Sequence, residues 1–303
     1  MAQIVRTSQL PQIRRAMAAR RHRPLTYWLG RLLLYVVLLA LSILFVLPFL
    51  WMISTSLKDD PQVYHAPPIW FPSPRLWSNY PGAMKQLPFG RFFINTLWYA
   101  VPSTIGTVIS CAIPAYGFAR FRWKGRDLLF YICLGTMMIP FQVQMIPLFL
   151  IFKKLGWVNS YLPLIVPAFF GNAYFIFLLR QFFLTIPLEL SDAARIDGCG
   201  EFSILWKIIL PLARPALAVV GLFQFMGAWN DYLGPLIYLN NVKLYPVALG
   251  LQQLRATYHA ANLRLVWPYL MAASTVVITP ILVLYFFTQR TFIEGITVTG
   301  IKG

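Results

Sequence analysis

The acidic side chains that can make directional ionic contacts are concentrated in one short connection, residues 187–211. Four of the nine aspartates and glutamates in the 303-residue chain lie there: Glu189, Asp192, Asp197 and Glu201. Two small residues, Ala193 and Ala194, follow Asp192 and leave room for another protein surface to approach closely. With Arg195 as the next residue, this chemistry suits an ionic contact with a protein partner. The alternative is an ordinary solvated loop, because charged residues are mostly exposed.

The same connection predicts two short helices separated by a glycine turn. Pro187 suits the first helical position and Glu189 favours the positive end of the helix dipole, so a helix over 188–196 is expected. Gly198 suits the end of that helix because glycine tolerates a left-handed backbone. A second, amphipathic helix is expected over 201–209, with apolar residues at helical spacing: Phe202, Leu205 and Ile209.

No other set of residues has the spacing of a catalytic or metal-binding site. The histidines and cysteines are scattered along the chain: His22, His65, His259, Cys111, Cys133 and Cys199. Their spacing indicates neither a disulfide framework nor a metal site. The chain has no G-x-x-x-x-G-K-[ST] loop, so we do not expect it to bind or hydrolyse ATP. The sequence therefore predicts neither an enzyme nor a bound metal.

The composition is typical of a protein that crosses a membrane several times. Hydrophobic residues make up 58% of the chain and charged residues 12%, against about 25% charged in soluble domains. Five charge-free stretches exceed the roughly 20 residues that cross a bilayer as a helix: 32–57, 92–119, 128–152, 155–179 and 265–289. A sixth, 211–239, carries Arg214 and Asp231 only near its ends, where charges are tolerated. We expect an all-α membrane protein with six transmembrane helices.

The basic residues predict the orientation of these helices. Seven arginines precede the first span, which is the positive-inside pattern and not a nucleic-acid-binding face. With the N-terminus inside, 17 of the 26 lysines and arginines fall on the inner side. Both termini, the basic segment 1–31 and the acidic connection are therefore expected in the cytoplasm, and the expected partners include the lipid bilayer but no nucleic acid.

The acidic connection resembles the EAA motif of permease subunits in binding-protein-dependent ABC importers. The family pattern is E-A-A, three residues, glycine, nine residues, then I-x-L-P. Here Asp192, Ala193 and Ala194 are followed by Gly198 and by "IILP", which ends at Pro211. The stretches "AWNDYLGPLIYL" and "FIEGITVTGIKG" also resemble the carbohydrate-uptake type, which includes the smaller permease of the maltose importer and its sugar and glycerol-phosphate relatives. The resemblance covers roughly residues 30–303.

The resemblance implies a type-1 transmembrane domain over 32–303, with a coupling helix seated in a cleft on an ATP-hydrolysing partner. The residues implied in that contact are Glu189, Asp192, Ala193, Ala194, Arg195 and Gly198. ATP and magnesium then bind to the partner and no cofactor binds to this chain. The implied assembly contains a second permease, two ATPase subunits and an extracytoplasmic solute-binding protein in a prokaryotic inner membrane. The family usually has glutamate at position 192, so either Asp192 or Glu189 meets the partner's basic residue.

Two further sets of residues are implied at the solute side. A loop that enters the cleft of the binding protein in maltose-type importers matches, by position only, Asn240, Asn241, Leu244 and Tyr245. Polar residues within the spans are candidates for the solute pathway, foremost Gln224, Asn230 and Asp231, and also Gln142, Gln144 and Asn172. The alternative for these polar residues is hydrogen bonding between helices. The tail 294–303 is implied to contact the ATPase.

The main alternative function is an ion-coupled secondary transporter. Such a protein needs ionisable residues near the middle of the membrane, and five of the six predicted spans contain none. A channel or membrane enzyme is disfavoured because neither a filter motif nor a catalytic constellation is present. The sequence favours the permease of an ATP-driven importer for a sugar, oligosaccharide, polyol or glycerol phosphate.

Overall fold

The computed structural model describes residues 25–260 and 266–300, with side chains for 26–257 and 267–289. These residues form helices joined by short connections, and no strand occurs among them, which confirms the all-α prediction. The α-helices, in chain order, are α1 (Leu25–Ser56), α2 (Asp60–Val63), α3 (Asn79–Gln86), α4 (Phe89–Arg120), α5 (Arg126–Gly135), α6 (Phe141–Lys154), α7 (Leu162–Ile165), α8 (Ala173–Thr185), α9 (Glu189–Ile196), α10 (Glu201–Ile204), α11 (Leu210–Leu212), α12 (Arg214–Trp229), α13 (Leu233–Tyr238), α14 (Val247–Ala260) and α15 (Val266–Gly300). Short 3₁₀ segments cover Thr136–Met138, Val166–Phe170 and Val242–Leu244, and a π-helical segment covers Leu205–Ile209.

Four helical stretches in the described part are long and apolar enough to cross a membrane: Thr26–Ser56, Phe89–Arg120, Leu162–Thr185 and Trp267–Gln289. Two further candidates are bent pairs, Arg126–Met138 with Phe141–Lys154 at 93° and Glu201–Leu212 with Arg214–Trp229 at 81°. If each bent pair is one span, the total is the six that the sequence predicts.

Prolines lie at the two bends. The predicted span 128–152 is interrupted at Ile139, whose ψ of 111° is extended, because the residue before a proline, here Pro140, is pushed out of the helical region. The run 211–239 does not begin as one straight helix, since the chain bends at Ala213 before α12, which has Pro215 in its first turn. That helix ends at Trp229, and α13 follows as a separate short helix.

The fourth predicted span, 155–179, begins and ends later than its charge-free run. Gly156 and Asn159 have left-handed backbones, with φ of +70° and +63°, so the chain turns before the helical stretch starts at Leu162. Left-handed residues end or precede helices because they cannot continue them. The span therefore runs over Leu162–Thr185 and carries Arg180 inside it.

Helix α4 is the central element of the fold. It packs against α8 and α12 and also contacts α7 and α14. Small and branched side chains fill the space between these helices, among them Ala112, Leu179 and Val220. Helix α1 packs mainly on α15 and is otherwise exposed, as suits an apolar helix that faces lipid or another membrane subunit.

The loop after α1 is held against the end of that helix. The Trp70 ring packs edge-on against Trp51 with centroids 4.9 Å apart, and the Ser54 hydroxyl donates to the Trp70 carbonyl at 2.6 Å. Lys58 is fully buried with Nζ 3.7 Å from the centre of the Trp51 ring, where the ring face attracts the cation. Its burial lowers the pKa of the ammonium group.

Candidate functional site: the acidic loop

Helix α9, Glu189–Ile196, forms where the acidic connection predicts its first helix. The helix ends in a turn in which Gly198 has φ +81° and Cys199 N–H donates to the Ala194 carbonyl at 2.9 Å. This is the left-handed glycine stop expected from the sequence. Pro187 was expected at the first helical position, and this expectation is wrong. Leu188 is the N-cap and Glu189 the first helical residue, so Pro187 precedes the helix by two positions.

The two faces of α9 differ in burial. Ser191 and Ala194 are buried against the chain itself, whereas Asp192 and Ala193 are exposed. Ile196 lies on the exposed face one turn beyond Asp192 and has 86% of its surface exposed. Of the two predicted alanines, only Ala193 is thus open to a partner. The sequence reasoning missed Ile196, although its spacing of four from Asp192 placed it on the same face.

Asp192 is already paired within the chain. Arg195 Nη1 donates to Asp192 Oδ1 at 2.6 Å, and Arg195 Nε donates to Glu201 Oε1 at 2.7 Å. The second oxygen of Glu201, Oε2, accepts from the Tyr116 hydroxyl at 2.6 Å. The hydrogen bond to Glu201 raises the pKa of the Arg195 guanidinium. Two of the four acidic residues of the connection, Asp192 and Glu201, therefore belong to an ordered network that reaches from α9 to α4, whereas Glu189 and Asp197 are exposed.

The connection between α8 and α9 is anchored by a second side chain of α4. Arg120 is buried and its Nη2 donates to the Ile186 carbonyl at 2.9 Å. Sequence reasoning assigned Arg120 and Tyr116 no role in this site. Arg120 lies 66 residues from Ile186, so their contact depends on how α4 and α8 pack.

The second half of the loop departs from the predicted helix over 201–209. After α10 the chain widens into the π-helical segment Leu205–Ile209 and then α11. Leu205 and Ile209 are buried as expected, but Phe202 is 69% exposed, which corrects its predicted place on the buried face. Ile204 occupies that face instead and is fully buried.

The loop that follows α13, predicted to lie on the outer side, is fixed by two asparagines. Asn95 Nδ2, on α4, donates to the carbonyls of Lys243 and Tyr245, each at 2.9 Å. Asn159 Oδ1 accepts from the backbone N–H groups of Asn240 and Asn241, each at 3.1 Å. Sequence reasoning missed both asparagines, because their partners are distant in the chain.

The four residues predicted to contact a binding protein are unequal in exposure. Asn240 and Asn241 are exposed, whereas Leu244 and Tyr245 are half-buried, and Tyr245 packs on the core that contains Phe92. The exposed tip is therefore the part of this loop that is open to a partner.

Two of the predicted pathway residues border one cavity. Asn230 and Asp231, together with Phe141, line a cavity of about 450 Å³. Asp231 Oδ1 also accepts from Gly234 N–H at 3.0 Å, which fixes the carboxylate at the start of α13. Gln224 is half-buried on α12.

The other polar candidates have local bonding partners. Asn172 Oδ1 accepts from the N–H of Tyr174 at 3.0 Å and so caps α8. Gln144 Nε2 donates to the Ile139 carbonyl at 3.1 Å, and Gln142 is exposed. Among the described residues, no three histidine, cysteine or acidic side chains are grouped to hold a metal. The side chains of the tail 294–303, of His22 and of His259 lie outside the described part.

The described part of the chain thus has four to six helices suited to crossing a membrane and a short, exposed helix in the connection between two of them, which is the arrangement of a membrane subunit that contacts a partner outside the bilayer. Residues 108–297 match the family described as "Binding-protein-dependent transport system inner membrane component". The chain belongs to this family. It is therefore an ABC importer permease subunit, neither an enzyme nor an ion-coupled carrier.

The relatives agree with this assignment. The chain is 38% identical to the arabinooligosaccharides transport system permease protein AraQ of Halalkalibacterium halodurans over 71% of its own length and 75% of that protein. It is 32% identical to the sn-glycerol-3-phosphate transport system permease protein UgpE of Yersinia pestis, over 78% and 85% of the two lengths. Its fold is similar to a chain of a bacterial ABC transporter involved in the import of the acidic polysaccharide alginate, with a TM-score of 0.75, 24% identity and coverage of 89% and 98%.

Proposed function

We propose that this chain is the permease of an importer for a carbohydrate-type solute and that α9 is its coupling helix. The observation that carries the coupling role is the exposed face of α9, which presents Asp192, Ala193 and Ile196. Two further apolar side chains of this segment, Leu188 and Leu190, are also exposed. Exposed apolar side chains that cluster beside a carboxylate are typical of a protein contact.

The partners of the proposed assembly are two ATPase subunits, which bind ATP and magnesium, a second permease and an extracytoplasmic solute-binding protein. The family description supports the binding protein and the inner membrane. The excess of basic residues on one side supports cytoplasmic termini, and the exposed length of α1 supports a second membrane subunit. In this arrangement the transmembrane domain covers 32–303, and the loop 187–211 faces the ATPase.

The proposed solute class is a sugar, oligosaccharide, polyol or glycerol phosphate. Relatives named for arabinooligosaccharides and for sn-glycerol 3-phosphate support it. The cavity beside Asn230 and Asp231 supplies amide and carboxylate groups that can bind hydroxyls along the pathway, with Gln224 further along α12. On the outer side, the fixed loop presents Asn240 and Asn241 to the binding protein.

The assembly is tested by extracting the tagged chain gently from its native membrane and identifying the proteins that come with it. We expect an ATPase, a second permease and a binding protein. Substituting Ile196→Asp is expected to remove the ATPase and retain the second permease, because α9 contacts only the ATPase. A chain that purifies alone or as a homodimer refutes the proposed assembly, and an ATPase that stays with Ile196→Asp refutes the role of α9.

A further inference from the structure

The segment that leads into α9 and the end of α9 are both tied to one face of α4. Tyr116 and Arg120 are four residues apart on α4 and therefore lie on the same side of that helix, one turn apart. Arg120 holds the segment that leads into α9, because it donates to the carbonyls of Ile186 at 2.9 Å and Pro187 at 3.5 Å. Tyr116 reaches the end of α9 indirectly, because it donates to Glu201, which accepts from Arg195.

Glu201 is the residue through which the second tie passes. Its Oε1 accepts from Arg195 Nε of α9 at 2.7 Å, and its Oε2 accepts from the Tyr116 hydroxyl of α4 at 2.6 Å and, at 3.4 Å, from Arg195 Nη2. The glycine turn at Gly198 and Gly200 separates Glu201 from α9 along the chain. Without the carboxylate, only backbone hydrogen bonds such as that from Cys199 to Ala194 hold the turn, and its glycines bend more easily than other residues.

We propose that Glu201 is a positioning residue that makes α9 move as one body with α4. The proposal rests on the proposed function of α9 as the coupling helix. When the ATPase carries α9 inward, the two ties pass the motion to α4, against which α8 and α12 pack. Without Glu201, the end of α9 moves about the glycine turn independently of α4. The inward displacement of α9 is then not transmitted to α4 and the helices packed against it.

The link through Glu201 fixes the position of α9 relative to α4 but adds little to the stability of the fold. The side chains of Arg195 and Glu201 are 36% and 38% exposed, and ion pairs in contact with water add little to the free energy of folding. Removing the link is therefore expected to leave the chain folded. Two variants break the link from different sides. Glu201→Gln keeps the shape but replaces one accepting oxygen by an amide donor, and Tyr116→Phe removes only the hydroxyl.

The experiment measures the distance between α9 and the far end of α4 in the assembled transporter. Nitroxide labels are placed at Asp197→Cys and Ile94→Cys after the native cysteines have been replaced, and distances are recorded without nucleotide and with ATP and vanadate. In the parent chain the distance is expected to stay the same. In Glu201→Gln and in Tyr116→Phe it is expected to shift by about 5 Å, the size of a one-turn displacement.

The matched control is Asp127→Asn, which removes the ion pair to Arg126 at 2.9 Å, another pair beside the end of α4. The control is expected to behave like the parent chain. The double variant Glu201→Gln, Tyr116→Phe is expected to shift no further than either single variant, because both act on one link. The proposal is refuted if the distance stays the same in both single variants. It is also refuted if the single variants lose the ATPase, because Glu201 and Tyr116 then have a structural role. Absence of the ATPase from the parent chain refutes the proposed function instead.

Discussion

Gly198 offers the sharpest test of the loop geometry. Its φ of +81° lies in the left-handed region, and a Cβ at this position meets no other atom of the described chain within 4 Å. Substitution by alanine therefore adds backbone strain and no steric clash. A left-handed backbone costs a non-glycine residue about 1–2 kcal/mol, which corresponds to a factor of about 5–30 in the population of the observed turn.

The proposed consequence is weaker binding of the ATPase. If α9 binds its partner only with the turn formed, the dissociation constant rises by the inverse of the populated fraction. Gly198→Ala should then weaken the affinity for the purified ATPase subunit by about 5–30-fold. The assay is titration of the labelled ATPase onto the permease pair held in lipid nanodiscs.

Two controls separate this effect from general loss of stability. Gly198→Asn should bind nearly as the parent chain does, because asparagine tolerates the left-handed region. Gly156→Ala introduces comparable strain at φ +70°, also with no described atom within 4 Å, but it lies at a different turn. Equal affinity of Gly198→Ala and the parent chain refutes the requirement for this turn. An equal loss in Gly156→Ala shows that the effect is not specific to α9.

Three further predictions concern other contacts. Asp192→Lys should lower the amount of co-purified ATPase at least about tenfold, equivalent to ~1.4 kcal/mol of binding free energy, whereas the control Asp127→Lys should not lower it. If the ATPase is retained in Asp192→Lys, the ionic contact is refuted. Asn95→Ala should speed hydrogen exchange in the loop that follows α13 and lower the free energy of unfolding by about 1–3 kcal/mol, because the carbonyls of Lys243 and Tyr245 lose their donor. Unchanged hydrogen exchange contradicts this prediction. Gly106→Ala should lower the thermal midpoint of the detergent-extracted chain, because the new Cβ lies 2.6 Å from the Phe169 ring. Overpacking of this kind costs about 1–3 kcal/mol. An unchanged midpoint contradicts the prediction and means that the ring moves aside freely.

The all-α membrane fold and the form of the loop could be predicted from the sequence because both depend on local physical chemistry. A charge-free apolar run of about 20 residues is a candidate transmembrane helix from its composition and length alone. The helix 188–196 and its stop at Gly198 depend on capping and on the backbone freedom of glycine, which act within a few residues. The sequence also shows Pro140, which interrupts the run 128–152. The direction and angle of the bend between α5 and α6 nevertheless depend on what these two helices pack against.

The connections between the loop and the spans required the tertiary structure. Tyr116 and Glu201 are 85 residues apart, and Asn95 and Tyr245 are 150 apart, so no local pattern marks them as pairs. The sequence predicts that either Asp192 or Glu189 makes an ionic contact with a partner, and only the fold shows that Arg195 holds the Asp192 carboxylate. Residue types and spacing thus determined which segment forms the short exposed helix and is expected to face a partner. The packing of α4 on α8 determined how that segment is held, because side chains distant in the chain become neighbours only after the helices have packed.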